Sequence, residues 1–322
     1  MRWAALLAIL TVTRPGDAGP AHGWGDGGDT PLVVVAARTR GPVGGRQGTA
    51  PRSPHPLAER TVRTAADEAE AFGHGGMIRG KRANHYVALT FDDGPHRTRT
   101  PMVLDTLDRH GVPATFFVVG HRLAGKSERA DERRQIATDI VRRGHDLGNH
   151  TYRHSNLRAL SARQARREIE RGERYIRRVL GHRSYLFRAP YGAWAASGYL
   201  RARGYTRVGW TFDVRDFWDR GDLATRLLDQ IERHQGGITV LHDTHEGTAR
   251  SLSKLLSQLE VRNCARLERG LRPIVPVSLH YFMTTAEGRP RPLPAHAIRR
   301  EASYLRRLAA SCRRFDKQPQ GH

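Results

Sequence analysis

Four short segments of this chain carry side chains whose type and spacing suit holding a metal and moving protons. Residues 90–96 read Thr-Phe-Asp-Asp-Gly-Pro-His and follow Tyr86-Val87-Ala88-Leu89, an apolar run of buried-strand type. Successive strand side chains point to opposite faces, so Asp92 and Asp93 need not share an environment. One can ligate a metal while the other handles protons. His150 and His154 are four positions apart, a spacing that on a helical turn brings both rings to one face. The chain has 17 histidines, so this pair gains weight only beside a strand-end carboxylate. Two imidazoles and one Asp form a facial set that leaves positions open for water and substrate, and it suits zinc or another divalent transition metal.

Arg188-Ala189-Pro190-Tyr191-Gly192 is the third segment. Pro190 fixes the backbone after a strand and Gly192 lets it turn sharply, so the Tyr191 backbone N–H could point into a cavity. Asp213 and Asp216 follow the next strand, and either could pair with Arg188. In the fourth segment, Val240-Leu241-His242-Asp243, a strand closes on an imidazole able to exchange protons near neutrality. Asp243 or another carboxylate would keep that imidazole cationic.

The elements that must position these groups alternate. A helix opening at Pro101 buries Val103, Leu104 and Leu107 and stops at His110-Gly111, before a strand at residues 114–119. Helices follow near 131–143, from the Ser161 cap to about 180, and at 198–203, 223–234 and 248–258. Strand-like runs lie at 185–188, 206–212, 238–241 and 274–278. This β-α alternation over some 200 residues predicts a parallel sheet or an α/β barrel, with the polar chemistry just after the strands. No internal repeat is visible.

Residues 19–80 are rich in Gly, Pro, Ala, Thr and Arg with little periodicity, and read as a low-order leader. Met1-Arg2-Trp3 and the apolar run 4–12, with small residues near Ala18–Ala21, have the form of a secretory signal. That run is about half a membrane span, so no transmembrane segment is expected. Cys264 and Cys312 could pair in an oxidising compartment or remain buried thiols. Residues 296–314 place Ile298, Leu305, Leu308 and Cys312 near one helical face, with arginines around the rest.

The 322 residues carry a formal charge of +22 at mean hydropathy −0.60, and only Lys81, Lys126, Lys254 and Lys317 are lysines. The excess is spread through residues 81–282, with 36 basic against 22 acidic side chains. It is not a basic arm. Such a field would attract an anionic polymer or surface, unless the arginines are merely solvated. No nucleic-acid recognition motif accompanies it.

The order Thr90-Phe91-Asp92-Asp93-Gly94, His150-Thr151-x-x-His154, Arg188-x-Pro190-Tyr191, an Asp-rich strand end and Leu241-His242-Asp243 strongly resembles the polysaccharide deacetylases of carbohydrate esterase family 4. The resemblance covers roughly residues 82–282. It implies a distorted (β/α) barrel that removes acetyl groups from carbohydrate. It also implies that Asp93, His150 and His154 hold the metal, usually zinc, with Asp92 as general base and His242 as general acid. Arg188 would orient Asp92, Asp216 would hold Arg188, and the Tyr191 N–H would serve the oxyanion. Pro190, Tyr191, Trp218 and Val240 would line the substrate side. The family follows its fourth-motif Asp directly with Trp, whereas this chain reads Asp216-Phe217-Trp218.

The expected organisation is a signal peptide (1–21), a leader (22–80), the α/β catalytic domain (81–282) and a basic helical tail (283–322). The expected function is secreted or periplasmic N-deacetylation of a GlcNAc-containing polymer. An O-acetyl esterase acting on acetylated xylan and a catalytically inactive carbohydrate binder are the alternatives.

Overall fold

Strand β2 (Tyr86–Asp92) is the axis on which the site is built. From Val87 to Asp92 it is buried on both faces, as expected of a strand in an all-parallel sheet covered by helices. The computed structural model describes residues 63–80, 84–218, 221–286, 293 and 295–315, which lie in one compact unit spanning Ser53–His322. The expected signal and most of the expected leader, residues 1–62, lie outside the described residues.

On one side of β2 lie, in order, β3 (Ala114–Val118), β4 (Asp146–Asn149), β5 (Leu186–Phe187), β6 (Thr206–Val208) and β1 (Met77–Ile78). On the other lie β8 (Gly237–His242) and β7 (Phe212–Asp213), and β9 (Val275–Pro276) pairs with the start of β2. Every pairing is parallel.

The stretch 206–212, expected as one strand, is two strands, β6 next to one end of this order and β7 at the other. Only Gly209, Trp210 and Thr211 separate them, a link that reaches at most roughly 14 Å. The sheet must therefore curl until its ends nearly meet. The Gly209 N–H bonds the Ile78 carbonyl and the Thr211 N–H bonds the Ile238 carbonyl, so the link bridges the two flanks. The result is the expected distorted barrel.

The helices pack outside through apolar stripes. α1 (Ala65–Phe72) falls inside the expected leader, yet Thr64 and Asp67 form a reciprocal capping box at its start. Phe72 and Ile78 are buried, and β1 extends the sheet. Residues 64–78, expected in the leader, thus pack against the sheet. Their apolar residues are too few to show periodicity, but they seal the barrel's flank. In α2 (Arg99–His110), Val103, Leu104 and Leu107 face the core, and the helix ends at Gly111 with φ 60°. α3 (Glu128–Arg142) starts at a Ser127 cap.

α4 (Ala162–Leu180) begins with a Ser161–Gln164 capping box and buries Ala165, Ile169, Gly172 and Ile176. Burying one such aliphatic side chain stabilises by roughly 1.5–3 kcal/mol. α5 (Ser197–Ala202) and α6 (Leu223–Arg233) follow. α7 (Glu246–Glu268) runs well past the expected 248–258, and α8 is Leu279–Ala286.

The tail forms helix α9 (Ala295–Phe315) and is part of the fold. Ala297, Tyr304, Leu308 and Cys312 are its buried face, whereas Ile298, expected on that face, is 50% exposed. Cys312 is disulfide-bonded to Cys264 of α7. Arg307 donates to the His110 carbonyl at the end of α2, and Arg300 to the Gly144 carbonyl just past α3. Cations at helix C-termini satisfy carbonyls that have no partner inside the helix.

Candidate active site

Parallel register brings five of the expected groups to the same rim. Asp92 pairs with His242 across β2 and β8, and Val118 pairs with Asn149 across β3 and β4. His150 therefore leaves β4 one residue beyond the level of Asp93 at the end of β2. Arg188 leaves β5, with its backbone N–H bonded to the Asn149 carbonyl. All are at the C-terminal ends of strands, where helices do not cover the sheet.

Asp93, His150 and His154 offer ligand atoms that lie within 4.8 Å of one another. His154 Nε2 is 3.0 Å and His150 Nε2 3.5 Å from Asp93 Oδ1. The other ring nitrogens are engaged: His150 Nδ1 lies 2.8 Å from the Arg188 carbonyl, and His154 Nδ1 lies 3.1 Å from the Tyr191 hydroxyl. Both Nε2 atoms are thus left to converge on Asp93 Oδ1, a buried oxygen with no well-directed hydrogen bond. This donor set, with both rings oriented from behind, fits a divalent cation.

The electrostatics agree. Burial would raise the Asp93 pKa, but His154 Nε2 at 3.0 Å and the neighbouring His150 imidazole hold it well below the usual carboxylate range. Burial lowers the His150 pKa, which keeps its ring neutral and its lone pair available.

The two histidines do not sit on a helical turn. Residues 150–156 form an irregular loop in which Thr151 and His154 adopt φ 68° and 60°. Asn149 holds the loop, accepting from the Thr151 N–H and donating to the Ile169 carbonyl of α4. Gly172 lets α4 approach, because a Cβ there would meet Asn149 Oδ1 at 2.4 Å and the Thr151 carbonyl at 2.8 Å. The i, i+4 spacing predicted convergence, but it comes from backbone reversal in the loop.

Arg188 is fully buried. It donates to Asp92 Oδ1 and Thr90 Oγ1, each at 2.7 Å, and to the Val208 and Gly209 carbonyls, each at 3.0 Å. Its guanidinium lies 4.2 Å above the Phe117 ring. One oxygen of Asp92 is thereby fixed. The other, Oδ2, lies 3.9 Å from His150 Nε2.

Asp216 does not hold Arg188. Its carboxylate accepts the His242 backbone N–H and lies 2.7 Å from His242 Nδ1, and it also accepts the Thr248 hydroxyl at 2.5 Å. The reason is position: Asp216 follows β7, which lies beside β8, while Arg188 leaves β5 and its guanidinium is taken up by Asp92, Thr90 and the Val208 and Gly209 carbonyls. Burial alone would lower the His242 pKa. The hydrogen bond and charge of Asp216 override it and, with Asp92 and Asp93, lift it to about 9. The carboxylate that keeps His242 cationic is therefore Asp216. Asp243 is itself pushed up to about 7 by burial and accepts a hydrogen bond from Thr100.

On the substrate side, Tyr191 is 70% exposed in a short Pro190–Gly192 turn with φ 58°. Pro190 and Val240 are buried. Phe217 stands edge-on to His242 with ring centroids 5.5 Å apart, while Arg215 stacks on Trp218. Phe217, which directly follows Asp216, thus stands beside the imidazole. His245, also beside His242 at 5.5 Å, has its pKa lowered by burial. Thr90, Thr248 and Asn149 were not singled out from sequence. Thr90 was recoverable, since period-two alternation puts it on the same strand face as Asp92.

Comparison with known proteins supports the same reading. The polysaccharide deacetylase family matches residues 79–208. A chitooligosaccharide deacetylase of Sinorhizobium fredii is 38% identical over 162 residues, 49% of this chain and 71% of that protein. A peptidoglycan-N-acetylglucosamine deacetylase of Bacillus cereus is 32% identical over 189 residues, 55% of this chain and 64% of that protein. The solved structure of the chitin deacetylase from Colletotrichum lindemuthianum is similar at TM-score 0.51 and 31% identity, covering 57% of this chain and 85% of that one. With the motifs on one barrel rim and relatives matched over most of their length, the chain belongs to the polysaccharide deacetylase family of carbohydrate esterases.

Proposed function

We propose that this protein is a metal-dependent N-deacetylase of a GlcNAc-containing polysaccharide. The observation that carries the proposal is the convergence of Asp93, His150 and His154 next to an Arg188-held Asp92 and an Asp216-held His242. The names of the relatives from Sinorhizobium fredii and Bacillus cereus support the substrate class.

Asp93 Oδ1, His150 Nε2 and His154 Nε2 would hold the cation, and their hard and borderline donors favour zinc. When bound, such a cation acidifies water and polarises a carbonyl. Asp92 receives the water proton through Oδ2, the oxygen that Arg188 leaves free. The water oxygen adds to the acetyl carbon, and the Tyr191 backbone N–H stabilises the resulting oxyanion. One such donor contributes roughly 3 kcal/mol. His242 donates its Nε2 proton to the nitrogen as the C–N bond breaks, while Asp216 keeps Nδ1–H in place. Acetate and a free amine leave.

The signal-like start and the disulfide support a secreted or periplasmic location. The test is acetate release from chitopentaose and from peptidoglycan by zinc-loaded protein, compared with Asp92→Asn. The variant is expected to retain the metal and lose on the order of 10²–10⁴-fold in turnover. Loss of the metal in Asp92→Asn, or full activity without Asp92, would overturn the assignment.

A further inference from the structure

Helix α4 carries more positive charge than its own stability can use. Arg163, Arg167, Arg171, Arg174 and Arg178 are all exposed, and none has a carboxylate within ion-pair distance among the described residues. At 100° per residue they fall in an arc of about 80° on the helix, opposite its buried stripe. From first to last they span about 22 Å.

This arrangement works against the helix. Like charges three and four residues apart repel. Arg163 sits in the first turn, which contains no acidic residue and where the helix dipole disfavours a cation. Solvation alone would be served as well by mixed signs.

The stripe also runs past the metal loop. The Arg171 guanidinium lies 3.8 Å over the Tyr152 ring, and Tyr152 sits between His150 and His154. Tyr152 stacks on Tyr175 at 5.7 Å, and Arg178 lies 5.0 Å over Tyr175. Gly172 packs against the backbone of Thr151. The stripe thus lies on the outer side of the helix whose inner side supports the loop, and Arg171 over Tyr152 is where the two meet.

We propose that the arginine stripe of α4 is a docking track for a linear polyanionic glycan, bearing carboxylate or phosphate groups, whose acetylated sugars the neighbouring site then processes. This rests on the deacetylase reading for the fate of the glycan, though not for its binding. Guanidinium forks match carboxylate and phosphate geometry. The stripe is narrow and straight, which fits a chain-like partner. It exposes no apolar side chain to insert in a membrane, because the apolar face of α4 is turned into the fold. No base-reading motif accompanies it.

The test uses the full-length, metal-loaded protein and the variant Arg163→Gln/Arg167→Gln/Arg174→Gln, which spares the two arginines stacked on tyrosines. Binding to polygalacturonate is measured from about 50 to 300 mM salt, where the screening length falls below roughly 10 Å. Wild type should bind with an affinity that drops as salt rises. The variant should bind about tenfold more weakly at low salt, with unchanged melting temperature and unchanged acetate release from neutral chitopentaose.

Equal affinity of the two proteins, or no binding by wild type, overturns the track. Tighter, stripe-dependent binding to phosphatidylglycerol vesicles or duplex DNA overturns the glycan as its occupant. Stripe-dependent binding of polygalacturonate without acetate release from any substrate upholds the track and removes the deacetylase reading instead.

Discussion

Each reactive side chain is defined by the partner on its far side. Arg188 fixes one oxygen of Asp92, and Asp216 holds both the backbone and the ring of His242. His242 is protonated below its raised pKa of about 9 and loses the proton as pH rises through it. A general acid of that kind gives an alkaline limb to kcat/KM. Asp216→Asn removes the charge that lifts the pKa against burial, so the limb should move to lower pH. Comparing the two pH profiles measures this, and it is the difference that counts, since a cation at Asp93 lowers both limbs. Coincident limbs would mean that Asp216 does not set the protonation of His242. Breaking the Arg188–Asp92 pair is expected to be harsher, because a buried charge left alone costs roughly 3–5 kcal/mol.

At the level of elements, the loop that carries His150 and His154 is shaped by the helix beneath it. Asn149 ties the loop to Ile169 of α4, and Gly172 allows the contact. Gly172→Val forces α4 and the loop apart, since the added Cβ meets carbonyl backbone at 2.8 Å. Its expected result is weaker metal retention than wild type at equal chelator concentration, read by elemental analysis after dialysis. Overpacking of this kind also costs typically 1–3 kcal/mol in stability. Unchanged retention would mean that the loop holds its shape independently of α4. α7 reaches the site through Thr248, which bonds Asp216, while farther along it Cys264 ties it to the docked α9.

On the scale of the whole molecule, the Cys264–Cys312 bond ties α9 to α7 and closes a loop of 48 residues in sequence. Closing a loop of that size stabilises by roughly 2–4 kcal/mol. Cys312→Ala should therefore lower the melting temperature by several degrees while leaving kcat near the wild-type value, because neither cysteine touches the catalytic rim. Thermal unfolding with and without reductant checks it. Two free thiols in the unreduced wild type would show that the bond is absent in solution.

Much of this protein could be read along its chain. The buried strand ending in Asp92-Asp93, the order of the motifs and the β-α alternation each depend on local composition and periodicity, which are properties of sequence. The grouping of Asp93, His150 and His154 was also legible, because imidazoles and a carboxylate at strand ends have few other uses together. Other features depend on which strands become neighbours. Asp216 serves His242 and not Arg188 because β7 lies beside β8. Residues 206–212 split into two strands because the sheet curls. Residues 63–80 join the fold because two apolar side chains find a flank to cover. His150 and His154 meet through a loop that α4 shapes from below. Local spacing sets what a side chain can do, but only the closed path of the sheet decides what stands beside it.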